Sequence, residues 1–395
     1  MAAVAAIALL ATSMAGEVSG ASLVQAKACT PTWRLVRKPA VPIDGLDNTI
    51  RVGLPDVLSR GDMFLVVSPK TMTAGNPNPD VLHWDGSSVS KFAPLPHDDL
   101  TEAVGTTVSD ESFDSSSDGW VLGSAVTGNT LARWHGGRWM IVPPAVSPRP
   151  ATDWLRVSRV VAVSPISAWA VGESFQAGNR PSGALIEHWN GTQWVTVANP
   201  AAQRVSALVG LAMVSARDIW AVGSQGVSPD GAIPLVEHWD GARWNVIPVP
   251  KGHGASSLYA ISAAGPRDVW VAGGQAELGP RGPVGALVEH WNGVTWNVAR
   301  GVPHLRYAGV DGVYAAGPHD VWAVSSNGVQ ASFLHWDGKT WSAQPVPGPK
   351  EYGLQYGYYG MGGSGPDDVW AVGQTYNFAT MTGELQLAHL SCGKS

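Results

Sequence analysis

Charged residues are scarce in this sequence. They make up 14% of the 395 residues, with 25 Lys and Arg against 31 Asp and Glu, and no run of basic residues occurs. Binding a polyanion requires a concentrated basic surface, so the net charge of −6 argues against nucleic acid as a partner. Serine nucleophile elbows, Walker loops and clustered zinc motifs are missing too, so we expect no cofactor and no bound metal.

Long apolar runs are also rare. A compact one extends from Ala2 to Met14, too short to span a bilayer, and small residues follow it, with candidate cleavage points near Ala21 and after Ala28. We therefore predict a signal peptide and leader over residues 1–28 and a secreted, extracellular protein. No later segment reaches the ~20 apolar residues of a membrane helix, so no transmembrane segment is expected.

Glycine, proline and tryptophan are abundant, with 47 Gly, 29 Pro and 19 Trp. This composition is typical of short strands joined by tight turns. A short apolar strand that carries Trp recurs six times at separations of 48 to 52 residues, and a degenerate earlier copy has Phe64 in place of Trp. The six tryptophans are Trp120, Trp169, Trp220, Trp270, Trp322 and Trp370.

A second signature, H-W-[DN]-G-x-x-W, follows each of these strands by about 20 residues. Full copies begin at His188, His238, His290 and His335, and looser copies lie at 83–89 and 134–139. Asp-Gly or Asn-Gly between two β-rich runs is a strong hairpin signal, because a type I′ turn needs positive φ at both central residues. Each repeat therefore predicts four strands, and tandem units of this length are typical of a β-propeller.

The number of blades follows from the two ends of the repeat array. The last copy has its second strand at Trp370 and its third near residues 387–390, but the chain ends before a fourth strand. Residues 32–36, T-W-R-L-V, match the fourth-strand pattern that begins at Thr295. We therefore predict an all-β fold, a seven-bladed β-propeller over residues 29–395, with four antiparallel strands per blade and the last blade closed by the N-terminal strand. We expect a monomer.

The only two cysteines lie at this seam. Cys29 comes just before the N-terminal strand and Cys392 just after the last third strand, both at the position of a hairpin turn in a complete repeat. In an exported chain this placement predicts a Cys29–Cys392 disulfide. A competing reading is a lipid-anchored Cys29, against which Lys27 and the distance from the apolar run argue.

The repeat residues themselves are interpreted as structural. Eighteen of the 19 tryptophans occupy repeat positions, which favours packing of blade against blade over a series of sugar-stacking platforms. Six histidines precede the third-strand signature position, one per blade, and radial symmetry keeps them too far apart to share a metal. Inter-strand hydrogen bonding is their expected role, and Glu187, Glu237 and Glu289 beside them are assigned a structural role as well.

At this point the repeats are recognisable. The strings D-V-W-A-V-G and H-W-D-G-x-x-W resemble those of a large group of secreted bacterial propeller-repeat proteins. The resemblance covers about residues 29–392 and implies the fold and export, and it carries no known activity or catalytic residues. Sialidase-type S-x-D-x-G-x-x-W boxes, paired-Gly kelch signatures and G-H…W-D repeats do not occur.

Candidate ligand-binding residues lie outside the repeat positions. Up-and-down topology places the loops between strands 2 and 3 and between blades on one face, and these loops vary in length, so we call it the variable face. Polar and aromatic residues at its inner end are the candidates. They are Trp154, Arg156, His253, Tyr259, Arg306, Tyr307, Asp311, Tyr352, Tyr356, Tyr358 and Tyr359.

Two classes of function fit these residues. The favoured one is a non-catalytic extracellular binding or scaffold module that holds a glycan or a protein on the variable face at the channel mouth. The alternative is a polysaccharide-acting enzyme, a glycoside hydrolase or lyase, at the same place. That enzyme would need two carboxylates or a Tyr/His/Arg set there, and Asp311, Tyr307 and Tyr359 supply no convincing pair by spacing alone.

Overall fold

The structure, a computed structural model, describes residues 31–36, 50–69, 79–95, 107–125, 128–143, 145, 154–176, 180–226, 231–276, 284–303, 305–327, 330–348, 354–377 and 382–392. The predicted leader over residues 1–28, Cys29 and Tyr352 lie outside these ranges, and so do the side chains of Trp154 and Tyr356. No helix in the described part of the chain is long and apolar enough to cross a membrane.

Within these ranges, 29 strands form seven antiparallel sheets, which confirms the predicted seven-bladed propeller with four strands per blade. Blade 1 has a broken first strand, whose two parts both pair with the second strand. Its strands are β2 (Ile50–Val52), β3 (Asp56–Ser59), β4 (Asp62–Pro69), β5 (Asp80–Trp84) and β6 (Val89–Lys91).

Blades 2 to 4 each contain four consecutive strands. Blade 2 has β7 (Thr107–Ser115), β8 (Asp118–Ala125), β9 (Gly128–His135) and β10 (Arg138–Val142). Blade 3 has β11 (Trp154–Ser164), β12 (Ser167–Gln176), β13 (Arg180–Trp189) and β14 (Trp194–Thr196). Blade 4 has β15 (Ser206–Ser215), β16 (Asp218–Gln225), β17 (Ile233–Trp239) and β18 (Trp244–Val246).

Blades 5 to 7 complete the ring. Blade 5 has β19 (Ser256–Gly265), β20 (Asp268–Ala276), β21 (Val284–Trp291) and β22 (Trp296–Val298). Blade 6 has β23 (Gly312–Gly317), β24 (Asp320–Ser326), β25 (Ala331–Trp336) and β26 (Trp341–Gln344). Blade 7 has β27 (Leu354–Gly365), β28 (Asp368–Asn377) and β29 (Thr382–Ser391), and its fourth strand is β1 (Thr32–Leu35).

The N-terminal strand closes the ring as predicted. β1 pairs antiparallel with β29, with Thr32 opposite Ser391 and Trp33 opposite Leu390. The Trp33 ring then takes the place that a fourth-strand Trp has in other blades, with its centroid 5.3 Å from Trp322 of blade 6. Strands from both ends of the chain therefore form one blade.

The repeated tryptophans pack one blade against the next. The second-strand Trp of a blade contacts a third- or fourth-strand Trp of the following blade, and these pairs make edge or tilted contacts. Centroid distances are 4.9 Å for Trp120–Trp194, 5.4 Å for Trp169–Trp244, 5.8 Å for Trp220–Trp296, 5.8 Å for Trp270–Trp341 and 5.2 Å for Trp370–Trp84. These side chains are buried, so the core is a set of interfaces between blades.

The repeated histidines bond across strands, as expected. In five blades, Nε2 of the third-strand His bonds the Asp that begins the second strand, and in blade 3 His188 bonds the Ser167 hydroxyl instead, at 3.0 Å. The five pairs are His83–Asp62 (2.7 Å), His238–Asp218 (2.8 Å), His290–Asp268 (2.8 Å), His335–Asp320 (2.9 Å) and His389–Asp368 (2.7 Å). Blade 2 uses an Arg133–Asp118 pair in the same position.

The first strands line the central channel, because each contacts the first strand of both neighbouring blades in a closed circle. Five of them carry a β-bulge near the variable face, at Ser109, Ser158, Val209, Tyr259 and Tyr359. The bulge explains the glycine in D-V-W-A-V-G. A Cβ on Gly223, Gly273 or Gly373 would lie 2.0 Å from a carbonyl oxygen of the first strand, so only glycine fits there.

Candidate binding site at the channel mouth

Three of the candidate residues occupy one equivalent position in three consecutive blades. Tyr259, Asp311 and Tyr359 each lie nine residues before the Asp that begins the second strand of blades 5, 6 and 7. The same position holds small or aliphatic residues in the other four blades, namely Gly53, Ser109, Ser158 and Val209. The repeat therefore brings Tyr259, Asp311 and Tyr359 together in an arc along one side of the channel, which we call the tyrosine–aspartate arc.

The two tyrosines of the arc are partly exposed. Tyr259 is 40% exposed and Tyr359 is 38% exposed. The Tyr359 ring lies over Gly357, where an added Cβ would come within 2.9 Å of the phenol, and its hydroxyl bonds the Gln374 side chain. Partial burial raises the pKa of both phenols, so both stay neutral at ordinary pH.

Asp311 lies between these phenols. Its Oδ2 accepts a hydrogen bond from Ser326 N at 3.2 Å, and burial raises the pKa of its carboxyl to about 6. The Asp311 charge in turn raises the pKa of both Tyr259 and Tyr359, as expected for a carboxylate with a phenol on either side. No basic side chain in the described part of the chain forms an ion pair with Asp311.

Blade 6, which carries Asp311, departs from the repeat. Ser325 stands where most blades have the repeat glycine, and its hydroxyl donates to Gly309 O at 2.8 Å. The ladder of β23 begins at Gly312; Asp311 N still donates to Val324 O of β24 at 2.8 Å, whereas Val310 N donates to Gly273 O of blade 5 at 3.0 Å. The sequence signal for this departure is the missing glycine in D-V-W-A-V-S.

An exposed aromatic lies on the segment that leads into β23. Tyr307 has φ of 63°, the only positive φ of a non-glycine among the residues described, and it is 57% exposed. The Arg306 guanidinium lies 4.8 Å from its ring centroid. A left-handed non-glycine costs about 1–3 kcal/mol and is enriched at binding and active sites. This pair is therefore a second candidate aromatic surface, on the chain four residues before Asp311.

The remaining candidates lie elsewhere. Arg156, in blade 3, forms an ion pair with Glu173, and its guanidinium lies 5.4 Å from the centroid of the Phe175 ring. The backbone of Trp154 pairs with that of Phe175 in the same blade. His253 is exposed on the connection into blade 5, and its backbone N–H donates to Gln275 Oε1 at 2.9 Å. These residues do not join the arc.

Tyr358 is a correction to the list of candidates. It is fully buried, its ring packs against Phe333 at 5.0 Å, and its hydroxyl donates to Pro347 O at 2.9 Å. The bulge that follows it turns Tyr359 toward the channel and leaves Tyr358 in the core between blades 6 and 7. A ligand at the channel mouth cannot reach it.

Buried carboxylates on the opposite side of the channel were missed by the sequence reasoning. Asp110 pairs with Arg159 at 2.6 Å and accepts from Val160 N, and Glu111 Oε1 accepts from Val66 N at 2.9 Å. Asp56 accepts from Phe113 N, and burial raises the pKa of its carboxyl to about 7. Each bonds the backbone of a neighbouring blade, so these groups join blades 1, 2 and 3. The run of acidic residues in 109–114 was the only sequence signal for Asp110 and Glu111, and Asp56 had none.

A small cavity lies on blade 3, away from the arc. Its volume is about 280 Å³, and its lining includes Leu155, Ser174, Ala184, Val197 and Asn199. Asn199 Oδ1 is buried there without a hydrogen-bond partner in the structure as described. Nowhere among the described residues do three His, Cys, Asp or Glu side chains converge as metal ligands would.

Comparison with known proteins gives the fold alone. No family model and no curated protein matches the sequence. The chain is similar to the solved structure "YCF48 bound to D1 peptide", with 14% identity, a TM-score of 0.54 and coverage of 91% of this chain and 95% of that one. YCF48 from Cyanidioschyzon merolae gives 16% identity, a TM-score of 0.54 and coverage of 92% and 99%.

A larger protein shares the fold as well. The crystal structure of puromycin hydrolase matches with 11% identity and a TM-score of 0.54, over 87% of this chain. The match covers 55% of that protein, so this chain spans about half of its length. At these identities the likeness supports the propeller architecture and says nothing about activity.

Proposed function

We propose that the protein is a non-catalytic, extracellular binding or scaffold module whose ligand, a protein or a glycan, lies on the variable face at the channel mouth. The observation that carries the proposal is the tyrosine–aspartate arc. Partly exposed aromatics with one polar group between them are typical of binding sites. Their position on the innermost strands fixes them on a rigid scaffold, as a preformed site requires.

The fold is compatible with this role. One structure with the same architecture holds a D1 peptide, which is a property of that protein and supports only that such a ring can bind a peptide. The enzyme alternative asks for two carboxylates at the mouth. Asp311 is the only carboxylate among the described residues of the arc. Asp56, Asp110 and Glu111 instead accept hydrogen bonds from backbone amides between blades.

Calorimetric titration of the mature protein tests this function. We expect saturable heat with a member of a panel of cell-wall polysaccharides, plant polysaccharides and peptides. Replacing both Tyr259 and Tyr359 by Ala should weaken that binding about tenfold or more, because two flat contact surfaces are lost. Ser158→Ala, at the equivalent position in blade 3, should bind as the parent does. Heat that continues until the substrate is consumed would show turnover and reject a non-catalytic role.

We also propose that a Cys29–Cys392 disulfide secures the closing strand and that residues 1–28 direct export. Support comes from the pairing of Thr32 with Ser391, which places β1 and β29 side by side within a few residues of the two cysteines. A cross-link over so long a loop contributes about 2–4 kcal/mol in typical measurements.

Cysteine chemistry tests the cross-link. We expect the folded, non-reduced protein to contain no thiol that reacts with iodoacetamide, and Cys392→Ser to lower the melting temperature by several degrees. The double variant Cys29→Ser, Cys392→Ser should melt at the same temperature as the single one, since both lack one bond. Alkylation of Cys392 in the unreduced native protein would contradict the disulfide. A lipid found on Cys29 would show that this cysteine is an anchor instead.

A further inference from the structure

We propose that the tyrosine–aspartate arc binds an organic cation, the guanidinium or ammonium of an Arg or Lys side chain presented by a protein partner. The inference deepens the proposed function and rests on it, because it names the chemical class of ligand at the same site. The observation behind it is that the Asp311 carboxylate, which has no basic partner among the described residues, lies between two partly exposed phenols, Tyr259 and Tyr359.

The two phenols suit a cation. The face of an aromatic ring carries partial negative charge, so a cation over it is attracted, and flanking rings on both sides strengthen the effect where water is partly excluded. Tyr259 and Tyr359 lie on the first strands of blades 5 and 7, and Asp311 lies between them on blade 6. Val310 N donates to Gly273 O at 3.0 Å, which ties the segment that carries Asp311 to blade 5.

Three other half-buried or buried carboxylates of the ring hold a cation from the protein itself, and Asp311 holds none within the described ranges. Asp110 holds Arg159, Asp118 holds Arg133 and Glu173 holds Arg156. Asp311 receives one backbone N–H and no cation from the described residues. A guanidinium from outside would complete a pair of the kind that the protein builds elsewhere from its own side chains.

The arc also restricts the kind of cation. A metal ion needs several ligands at bonding distance, and the arc offers one carboxylate, so an organic cation fits better. A neutral sugar could stack on the tyrosines but would bring no charge to Asp311. Residues next to that side chain in a partner protein would find an exposed aromatic in Tyr307, which lies four residues before Asp311 in the chain.

The experiment uses short peptides as probes. The mature protein is titrated with acetyl-Gly-Gly-Arg-Gly-Gly-amide and with the same peptide carrying citrulline, which keeps the shape of arginine and removes its charge. We expect the Arg peptide to bind about tenfold more tightly than the citrulline peptide. Asp311→Asn should abolish that preference, and Tyr259→Leu with Tyr359→Leu should weaken Arg-peptide binding about tenfold.

Controls separate this inference from loss of folding and from the wider function. Ser158→Ala, at the equivalent position of blade 3, should keep the preference, and a thermal melt of Asp311→Asn should remain cooperative. Equal binding of both peptides, or an Arg preference that survives Asp311→Asn, would overturn the inference.

The source of the cation is tested in a separate arm with free choline and arginine amide. Tighter binding of the Arg peptide supports a protein partner, and equal binding of the small cations would overturn that source while keeping the cation. If a neutral polysaccharide bound saturably and no cation bound detectably, the inference would be overturned and the proposed function would stand. If none of these probes bound, including the polysaccharides and peptides of the panel, both the inference and the proposed function would be rejected.

Discussion

Replacing Glu187, Glu237 and Glu289 by Gln, singly, is expected to stabilise the folded protein at pH 8 and to reduce the pH dependence of its stability. These residues precede the third-strand His in blades 3, 4 and 5, and all three are fully buried. Glu237 Oε1 accepts a hydrogen bond from Ala201 N at 3.1 Å, whereas both carboxyl oxygens of Glu289 have no partner in the described residues.

Burial controls the charge of these glutamates. Removal from water disfavours the carboxylate, and it raises the pKa to about 7 for Glu187 and Glu237 and to about 8 for Glu289, from 4.5. At neutral pH and below, each is therefore held as a neutral acid inside the ring. The unfolded chain releases the same proton near pH 4.5.

The sign of the pH dependence follows from this difference. Between pH 4.5 and about 7 to 8 the folded state holds more protons than the unfolded state, so the free energy of unfolding falls as pH rises. Each glutamate contributes about 1.4 kcal/mol per pH unit in that window. Gln stays neutral throughout, so each single variant should gain on the order of 3–5 kcal/mol relative to the parent at pH 8 and little at pH 4.5.

Urea unfolding at pH 4.5, 6 and 8 measures the effect. Glu384→Gln, at an exposed position of β29, is the matched control and should follow the parent curve at every pH. If the free energy of unfolding of the parent and of Glu289→Gln changed equally with pH between 4.5 and 8, burial would not be holding the Glu289 carboxyl neutral. That result would contradict the explanation.

Much of the fold could be predicted because each repeat encodes the same buried pattern. The separation of Trp120, Trp169 and Trp220 predicts the blade, and T-W-R-L-V at 32–36 predicts the closing strand, since Trp33 fills a position that only a neighbouring blade can bury. Predicting these features requires only the repeat period and the principle that large apolar side chains are buried on folding.

The site was less predictable because it depends on breaks in the repeat. Tyr358 and Tyr359 look alike in sequence, and only the bulge between Tyr358 and Gly360 decides which one faces the channel. The pattern that unites Tyr259, Asp311 and Tyr359 is visible once positions are counted back from the second-strand Asp. The buried Asp110 and Glu111 have no such signal, because an acidic run in a strand ordinarily indicates a solvated surface.

Trp33→Ala should weaken closure of the whole ring, whereas the equivalent change inside a continuous blade should act locally. The Trp33 ring packs 4.5 Å from Phe333 and 5.3 Å from Trp322, so its removal uncovers the interface of blades 6 and 7. Removing a fully buried Trp costs about 3–5 kcal/mol from lost packing, and Trp33 is partly buried, so its direct packing loss is smaller. Trp194→Ala is the matched control, because Trp194 has the same fourth-strand position in blade 3 and packs 4.9 Å from Trp120.

The two variants differ in how the weakened strand is held. The fourth strand of blade 3 continues directly from β13 through an Asn190–Gly191 turn, so β14 stays beside its partner even when its tryptophan is lost. β1 and β29 come from opposite ends of the chain and are not joined by a short turn. Once Trp33 is removed, the backbone ladder with β29, the packing of Val36 and the proposed disulfide must oppose opening of the ring. Hydrogen exchange should therefore accelerate in β28, β29 and β24 of Trp33→Ala, and only around blades 2 and 3 in Trp194→Ala. Equal exchange patterns in blade 7 of both variants would mean that the N-terminal strand is not what keeps the ring closed.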